Sequence, residues 1–160
     1  MSGAVTIRDA VPGDEALVAR FVRALAEYEN LLHEVRGTEA DFRQALFGNP
    51  PRVRALFVEI TRQPVGFALW FYTFSTFAAK PGLYVEDVFV QPDHRARGIG
   101  RMIFRDLARR AVDEGCGRME WSVLNWNAPA IGFYRSIGAR PVDDWTVQRL
   151  DGAPLRAFAG

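Results

Sequence analysis

The junction between an apolar strand and a glycine-bearing helix constrains the fold of this chain more than any other feature. Residues Leu83 to Val90 are rich in β-branched and aromatic side chains, a pattern that predicts a strand. After a short polar turn, Gly98 to Glu114 carry apolar residues at helical spacing, which predicts an amphipathic helix. Another strand and helix are predicted at 118–124 and 128–137. This alternation predicts an α/β domain.

The rest of the chain predicts a mixed sheet within one domain that spans residues 1–160. Periodicity and turn residues predict a strand, two helices and an antiparallel hairpin before the junction, at 5–8, 12–32, 39–46, 54–60 and 65–76. Two further short strands are predicted near Val142 and at 145–150. We therefore expect six to seven strands and about four helices.

Overall charge and cysteine content disfavour several classes of protein. The chain has 160 residues and a net charge of +1, so no strong field attracts nucleic acid or acidic lipid. Its single cysteine, Cys116, allows no internal disulfide bond, which fits a reducing compartment. The first residues lack a signal-peptide pattern, and the longest apolar run, near 65–77, is too short and polar to span a membrane. We expect a soluble, cytoplasmic protein that binds neither nucleic acid nor membrane.

The turn before the long helix has the chemistry of a phosphate site. The first turn of a helix carries unpaired backbone N–H groups and a partial positive charge, and both favour an anion. Gly98 and Gly100 lack a Cβ atom, which lets a phosphate approach the backbone closely. Arg95, Arg97 and Arg101 add cationic donors. By glycine spacing alone, however, an ordinary tight turn with solvated arginines is the better interpretation.

Two other phosphate-binding motifs do not match this turn. A P-loop requires a lysine and a hydroxyl residue after its second glycine, where Arg101 and Met102 stand in this chain. A dinucleotide-binding turn requires a third glycine, which residues 98–103 lack. Both of these nucleotide sites are therefore disfavoured.

In its strand and helix context, the segment from Arg95 to Gly100 resembles the signature of the GNAT acetyltransferase superfamily. That signature is Arg/Gln-x-x-Gly-x-Gly/Ala, and the segment matches every fixed position. Further segments are similar to the spermidine/spermine acetyltransferase group, and most of all to its thialysine acetyltransferase branch. They extend over nearly the whole chain, at 25–29, 65–68, 83–87, 126–130 and 133–135.

The resemblance implies an enzyme that moves the acetyl group of acetyl-CoA directly to a primary amine of a small molecule. The implied acceptor is a diamine, a thialysine-like compound or another amino-acid side-chain amine. Two alternatives remain, namely a non-catalytic acyl-CoA-binding protein and an acetyltransferase that acts on a protein amine.

The resemblance also implies how acetyl-CoA binds. The sheet opens between the strands at 83–90 and 118–124, the first strand pairs with the pantetheine arm, and the loop amides hold the pyrophosphate. The implied cofactor-binding residues are Val88, Phe89, Val90, Arg95, Ala96, Arg97, Gly98, Ile99, Gly100, Arg101, Asn127, Pro129 and Ala130. For Asn127, a plain helix N-cap is an equally good interpretation. No metal is expected, because His33 and His94 lack partners at ligand spacing.

Tyr134 and Glu86 are the implied catalytic residues. The family uses a tyrosine at the position of Tyr134 to protonate the CoA thiolate, and a core aromatic beside Phe133 is the alternative. Glu86 is the implied water-linked base or amine-binding carboxylate, and its alternative is a structural ion pair. Strand alternation predicts that Asp87 points to the opposite face of the sheet from Glu86, and the role of Asp87 is open.

The resemblance also implies an acceptor site of carboxylates and aromatic rings, which suit a cationic amine. The implied residues are Tyr28, Glu29, Glu86, Trp121, Asp144 and Trp145. A solvated helix end and a surface turn explain several of the same residues. The loop at 74–80 lacks the acidic residue of polyamine-specific enzymes and carries Lys80, which favours an acceptor smaller than spermidine. The resembled group also forms homodimers that share the acceptor site, which implies a homodimer here.

Overall fold

The structure, a computed structural model, describes residues 3–160. Its strands are β1 Val5–Asp9, β2 Arg54–Ile60, β3 Gln63–Ser75, β4 Lys80–Val90 and β5 Arg118–Trp121. Its α-helices are α1 Glu15–Tyr28, α2 Glu39–Phe47, α3 Ile99–Asp113, α4 Ala128–Ser136 and α5 Gly152–Ala159. Short 3-10 turns lie at Leu32–Glu34 and Pro92–His94.

The strands form one sheet in the order β1-β2-β3-β4-β5. The first three pairings are antiparallel, and β4 pairs with β5 in parallel. The predicted α/β fold with a mixed sheet is therefore confirmed. The number of strands is lower than predicted, because residues 142–150 are exposed and form no ladder in the described part of the chain. Strand propensity is realised only where a partner strand and burial support it.

The helices also differ from the prediction in two places. The first helix ends at Tyr28 rather than Leu32, which lies in a separate 3-10 turn. The last helix, α5, was not predicted, although Asp151 and the run of Ala, Leu and Arg residues after it are typical of a helix start. In contrast, the predicted N-cap at Thr38 is confirmed as a capping box with Asp41.

Two hydrophobic clusters lie on the opposite faces of the sheet. On one face, α3 contributes Ile99, Ile103 and Leu107, which pack against strand residues such as Val85. On the other face, α1 and α2 contribute residues that include Phe21, and these pack against a second set of strand residues that includes Phe89. Alternation along the strands therefore assigns each β4 residue to the α3 face or to the α1 face.

The chain divides into two compact units. The unit up to residue 122 contains the sheet and α1 to α3, and the unit at 123–160 contains α4 and α5. The organisation of residues 1–160 as one domain stays a prediction. Within residues 3–160, no helix combines the length and the hydropathy that a membrane crossing requires.

Candidate functional site

The glycine turn forms an open helix start at the end of β4. Gly98 has φ +80° and is the N-cap of α3, with no side-chain cap bond. This left-handed conformation is one that glycine adopts without strain. A Cβ atom placed on Gly98 or Gly100 would meet no atom within 4 Å. The first amides of α3 therefore border free space, and this geometry fits the binding of an anion.

The residues around Gly98 complete the turn. Ala96 also lies in the left-handed region, at φ +60°, which is uncommon for a residue with a side chain. Arg97 and Arg101 are exposed on the loop and on the first turn of α3. Their guanidinium groups add positive charge near the helix start, as the sequence predicts.

Arg95 is arranged differently from these two arginines. Its Nε donates a hydrogen bond of 2.9 Å to the carbonyl oxygen of Val90. Its guanidinium carbon lies 4.6 Å from the ring centroid of Tyr28 and 5.2 Å from that of Phe89. The structure thus brings together one implied phosphate residue and one implied acceptor residue.

The second half of β4 has a backbone edge with no strand beside it. The ladder with β5 ends at the pair Val85 and Trp121, whereas β4 continues to Val90. The predicted opening between these strands is therefore confirmed. The amide of Gln91 donates to the carbonyl of Val65 in β3, 2.9 Å away. Because backbone groups alternate in direction along a strand, those of Val88 and Val90 face the open edge.

A β-bulge lies at the point where this edge begins. Leu69 of β3 pairs with Asp87 and its neighbour Trp70 pairs with Val85, so Glu86 is an extra residue in β4. Val85 and Val88 consequently both pack on the α3 face, three positions apart. The prediction that regular alternation separates Glu86 from Asp87 is wrong here, because the bulge interrupts the alternation.

The bulge directs Asp87 to the α1 face, where the negative charges of Glu86 and Glu29 act on its carboxylate. Burial, together with the negative charges of Glu86 and Glu29, raises the pKa of Asp87 to about 6. Burial also raises the pKa of Glu29. A cation in this cluster would relieve the repulsion, and Asp87 would accept a proton near neutral pH. The sequence left the role of Asp87 open, because the inserted residue that turns it inward leaves no mark in the pattern.

The aromatic residues of the first unit line the strand ends. Tyr28 is the last residue of α1, is 37% exposed, and meets Phe89 edge to face at 6.5 Å. Trp121 is the last residue of β5 and packs edge-on against Phe104, with ring centroids 4.8 Å apart. Trp121 therefore has a clear packing role beside any role in binding.

In the second unit, Asn127 is the N-cap of the helix that carries Tyr134. Its side-chain oxygen accepts a hydrogen bond of 3.3 Å from the amide of Ala130, and its side chain is buried. Pro129 lies in the first turn, where the missing N–H costs nothing. The N-cap interpretation of Asn127 is confirmed, and its contact with a cofactor stays a prediction.

The other implied residues of this unit lie at α4 and in an irregular segment. Tyr134 is half-buried, with its ring 5.7 Å from that of Phe133. Asp144 lies in a turn, and the neighbouring Trp145 is 77% exposed. The strand predicted to contain Trp145 is absent from the structure, so this part of the implied acceptor site has no regular scaffold.

The histidines and the cysteine were not expected to be reactive. Among residues 3–160, no three His, Cys, Asp or Glu side chains come together as a metal-binding group. His94 lies in the 3-10 turn before the loop, and its buried Nδ1 makes no hydrogen bond within the described residues. Burial and the nearby Glu114 raise the pKa of Cys116, which disfavours its thiolate.

Comparison with known proteins connects this geometry to a family. Residues 20–139 match the acetyltransferase (GNAT) family. The thialysine N-epsilon-acetyltransferase of Sus scrofa is 35% identical over 98% of this chain and 98% of that protein. The L-ornithine N5-acetyltransferase of Arabidopsis thaliana is 29% identical over 95% of this chain and 86% of that protein. An integron cassette protein from V. cholerae has a similar structure, with a TM-score of 0.80, 26% identity and coverage of 99% and 98%.

Proposed function

Because this chain belongs to the acetyltransferase (GNAT) family, we propose that it transfers the acetyl group of acetyl-CoA to a primary amine of a small molecule. The observation that carries the proposal is the open helix start at Gly98 beside the open edge of β4. Two relatives similar over most of the chain are named for a thialysine and an ornithine acetyltransferase. Both names describe a small molecule with an amine on its side chain.

The donor site consists of the glycine loop and the open edge of β4. The amides of the first turn of α3, with Arg97 and Arg101, would hold the pyrophosphate of CoA. The backbone groups of Val88 would pair with an amide of the pantetheine arm, since this arm is chemically similar to a peptide. Free space beside Gly98 and Gly100 supports this fit. Asn127, Pro129 and Ala130 are the proposed contacts of the second unit with the same arm.

The acceptor site consists of the acidic cluster and the residues near it. Glu29, Glu86 and Asp87 would attract a protonated amine, because burial and the charges of Glu86 and Glu29 disfavour the ionised form of Asp87 and a bound cation would offset both effects. Tyr28 offers an aromatic surface beside this cluster. The further proposed contacts are Trp121, Asp144 and Trp145.

Acetyl transfer to a protonated amine requires that the nitrogen lose two protons and that the departing sulfur gain one. The nitrogen attacks the thioester carbonyl carbon and a C–N bond forms as the C–S bond breaks. Glu86, with Asp87 beside it, would accept the first proton from the bound ammonium group, directly or through one water molecule, which frees the lone pair of the nitrogen. Tyr134 would donate its hydroxyl proton to the departing sulfur, and the second proton that the nitrogen loses as the amide forms would restore the hydroxyl of Tyr134. The loop amides and Val88 contribute by holding the donor in place, which converts the encounter into a reaction between fixed groups.

The size of the acceptor follows from the loop between β3 and β4. Residues 76–79 contain no acid, and Lys80 begins β4. A long polycation such as spermidine would therefore lack a carboxylate partner and would approach a lysine there. Each exposed ion pair contributes about 0.2–1 kcal/mol, so the preference is one of degree. We propose thialysine, ornithine or a similar short amine as the acceptor.

A thiol-release assay with acetyl-CoA tests the proposed function. The panel contains thialysine, L-ornithine and spermidine, with wild-type protein and the variants Tyr134→Phe and Tyr72→Phe. We expect release of CoA with the short amines, and a loss of kcat of about 100-fold or more in Tyr134→Phe, the usual size of a general-acid contribution. Tyr72→Phe removes a phenol from β3, at a residue that the proposed site does not use, and controls for the substitution itself.

Two results would contradict the proposal. If calorimetry detects no binding of CoA by the wild-type protein, the donor site is wrong. If CoA binds but no amine is acetylated, the chain is a non-catalytic acyl-CoA-binding protein. A wild-type rate in Tyr134→Phe would contradict only the role of Tyr134.

We also propose that the protein is a cytoplasmic homodimer. The single cysteine fits a reducing compartment. Several large apolar side chains of the second unit are exposed in the single chain, and apolar surface of this kind is typical of an interface. They are Val142, Trp145, Val147, Leu150, Leu155 and Phe158.

A further inference from the structure

Arg95 turns its side chain from the glycine loop back toward the sheet. Its Nε donates to the carbonyl oxygen of Val90, the last residue of β4, at 2.9 Å. This hydrogen bond spans the turn at 91–94, so it ties the start of the loop to the end of the strand. It also occupies the carbonyl of one of the two residues, Val88 and Val90, whose backbone faces the open edge.

The guanidinium group of Arg95 lies on two aromatic rings. The distances to the ring centroids are 4.6 Å for Tyr28 and 5.2 Å for Phe89, and the two rings meet edge to face. A planar cation is attracted by the negative faces of both rings, whereas the compact ammonium of a lysine would match this surface less well. Arg95 therefore connects the glycine loop, β4 and the end of α1.

The two rings belong to the elements that carry the acidic cluster. Tyr28 directly precedes Glu29, whose charge contributes to the raised pKa of Asp87. Phe89 follows Asp87 by two positions and lies on the same face of β4. The contacts of Arg95 thus run from the proposed donor site to the proposed acceptor site within the unit up to residue 122.

We infer that Arg95 is a positioning residue that couples the donor and acceptor sites, rather than a ligand of the donor phosphate. Its hydrogen bond and ring contacts direct the guanidinium to Val90, Tyr28 and Phe89. When the loop is ordered by a bound donor, Arg95 holds the end of α1 beside β4, and the acidic cluster keeps the arrangement that binds the amine. Coupling of this kind is reciprocal, so a bound amine also favours binding of the donor. The inference rests on the proposed function, because it takes these two sites as the substrate sites.

Calorimetry of CoA binding, with and without saturating thialysine, tests the coupling. CoA carries no acetyl group, so the pair does not react during the measurement. We expect the wild-type protein to bind CoA about fivefold more tightly with thialysine present, the lower end of typical coupling. In Arg95→Met this factor falls to about one, while the affinity for CoA alone changes less than about threefold, since no phosphate contact is lost. Arg95→Lys keeps the charge and gives an intermediate factor.

Arg105→Met is the matched control, because Arg105 is exposed on α3 and lies outside the contacts of Arg95. It should keep the full coupling factor. In steady-state assays, Arg95→Met should raise KM for thialysine more than KM for acetyl-CoA. A role confined to folding would change both parameters, and the stability of Arg95→Met, together.

A double-mutant cycle in the ligand-free protein tests the contact itself. Urea unfolding of Arg95→Met, Tyr28→Leu and the double variant should show non-additive effects, because the second substitution removes a contact that the first has already removed. Additive effects would overturn the inference. So would equal affinity of wild-type protein for CoA with and without thialysine. A loss of about tenfold or more in CoA affinity alone, with the coupling factor kept, would identify Arg95 as a phosphate ligand.

The cycle also separates this inference from the proposed function. If the wild-type protein binds no CoA, the proposed function fails, and the coupling fails with it. The cycle still reports whether Arg95 and Tyr28 interact. If CoA binds and an amine is acetylated but the coupling factor of Arg95→Met is normal, only the inference about Arg95 fails.

Discussion

At the scale of single residues, the chemistry depends on groups held in unusual surroundings. Gly98 adopts a left-handed conformation that leaves space at the start of α3. The guanidinium group of Arg95 lies over aromatic rings instead of facing solvent alone. Asp87 is a largely buried carboxylate whose negative neighbours resist its ionisation. Of these arrangements, the burial of Asp87 beside like charges costs stability, whereas glycine adopts the conformation of Gly98 without strain and the contacts of Arg95 are favourable.

The raised pKa of Asp87 predicts a defined dependence of stability on pH. The pKa of Asp87 is about 6 in the folded protein, whereas the pKa of an unfolded aspartic acid is about 3.9. Between these values the native state binds more protons, so the contribution of Asp87 to stability falls as pH rises through the window and stays low above it. A shift of this size corresponds to about 2–3 kcal/mol at most.

Asp87→Asn removes this penalty and should stabilise the protein only above the window. We expect a free energy of unfolding about 2 kcal/mol higher than that of the wild type at pH 7.5, and nearly equal values at pH 4.5. Urea unfolding at both pH values measures the difference. Asp93→Asn is the control, because Asp93 is exposed. The same difference at both pH values would contradict the assignment of this titration to Asp87.

At the scale of elements, the close approach of α3 to β3 determines the position of the glycine loop relative to the sheet. A Cβ atom on Gly66 of β3 would lie 3.1 Å from Cγ2 of Ile99 and 3.4 Å from Cδ1 of Ile103. Ile99 is the first residue of α3, directly after Gly98. The absence of a side chain at Gly66 therefore sets the height of the helix start above the sheet.

Substitution of Gly66 should disturb both stability and donor binding. Gly66→Val crowds the first turn of α3, and overpacking of this kind costs about 1–3 kcal/mol. Gly66→Ala should show a smaller effect in the same direction. Urea unfolding and calorimetry with CoA measure the two consequences. Wild-type stability and CoA affinity in Gly66→Val would mean that the helix start is not limited by this contact.

Most elements could be predicted from the sequence, because their local patterns agree with their final environment. The hairpin of β2 and β3 and the helix after the glycine loop have strong periodicity, and burial reinforces it. The prediction of strands near Val142 and at 145–150 was wrong, because strand formation depends on a partner strand that the sequence pattern does not reveal.

The candidate site was predictable to the extent that it follows a contiguous motif. Gly98 and its loop were found because glycine, helix start and arginines stand together in the sequence. The orientation of Asp87 could not be predicted, because it depends on the bulge at Glu86. The contacts of Arg95 could not be predicted either, because they involve α1, which is distant in the sequence. Sequence patterns report neighbours along the chain, and these contacts lie between elements.

At the scale of the whole molecule, surface composition suggests association. The net charge of +1 gives little repulsion between copies. The exposed apolar side chains of the second unit, which include Trp145 and Phe158, would be covered if two copies meet through them.

Sedimentation equilibrium should give about twice the chain mass of 18.0 kDa at micromolar concentration. The double variant Trp145→Ser and Phe158→Ser should shift the protein toward the monomer, because it removes apolar area from the proposed interface. Phe77→Ser is the matched control, since Phe77 is 99% exposed in the turn between β3 and β4. A wild-type protein that is monomeric at all concentrations would contradict the dimer.

The bulge at Glu86 gives β4 one residue more than regular pairing with β3 requires. Val85 and Val88 both face α3, although they are three positions apart and regular alternation would place them on opposite faces. Deleting Glu86 would leave Val85 and Val88 two positions apart, so regular alternation would keep both on the α3 face and would keep Asp87 and Phe89 on the α1 face. The extra residue is therefore not needed to assign the faces of β4. What it adds is a second carboxylate, that of Glu86, next to Asp87 at the point where the open edge begins.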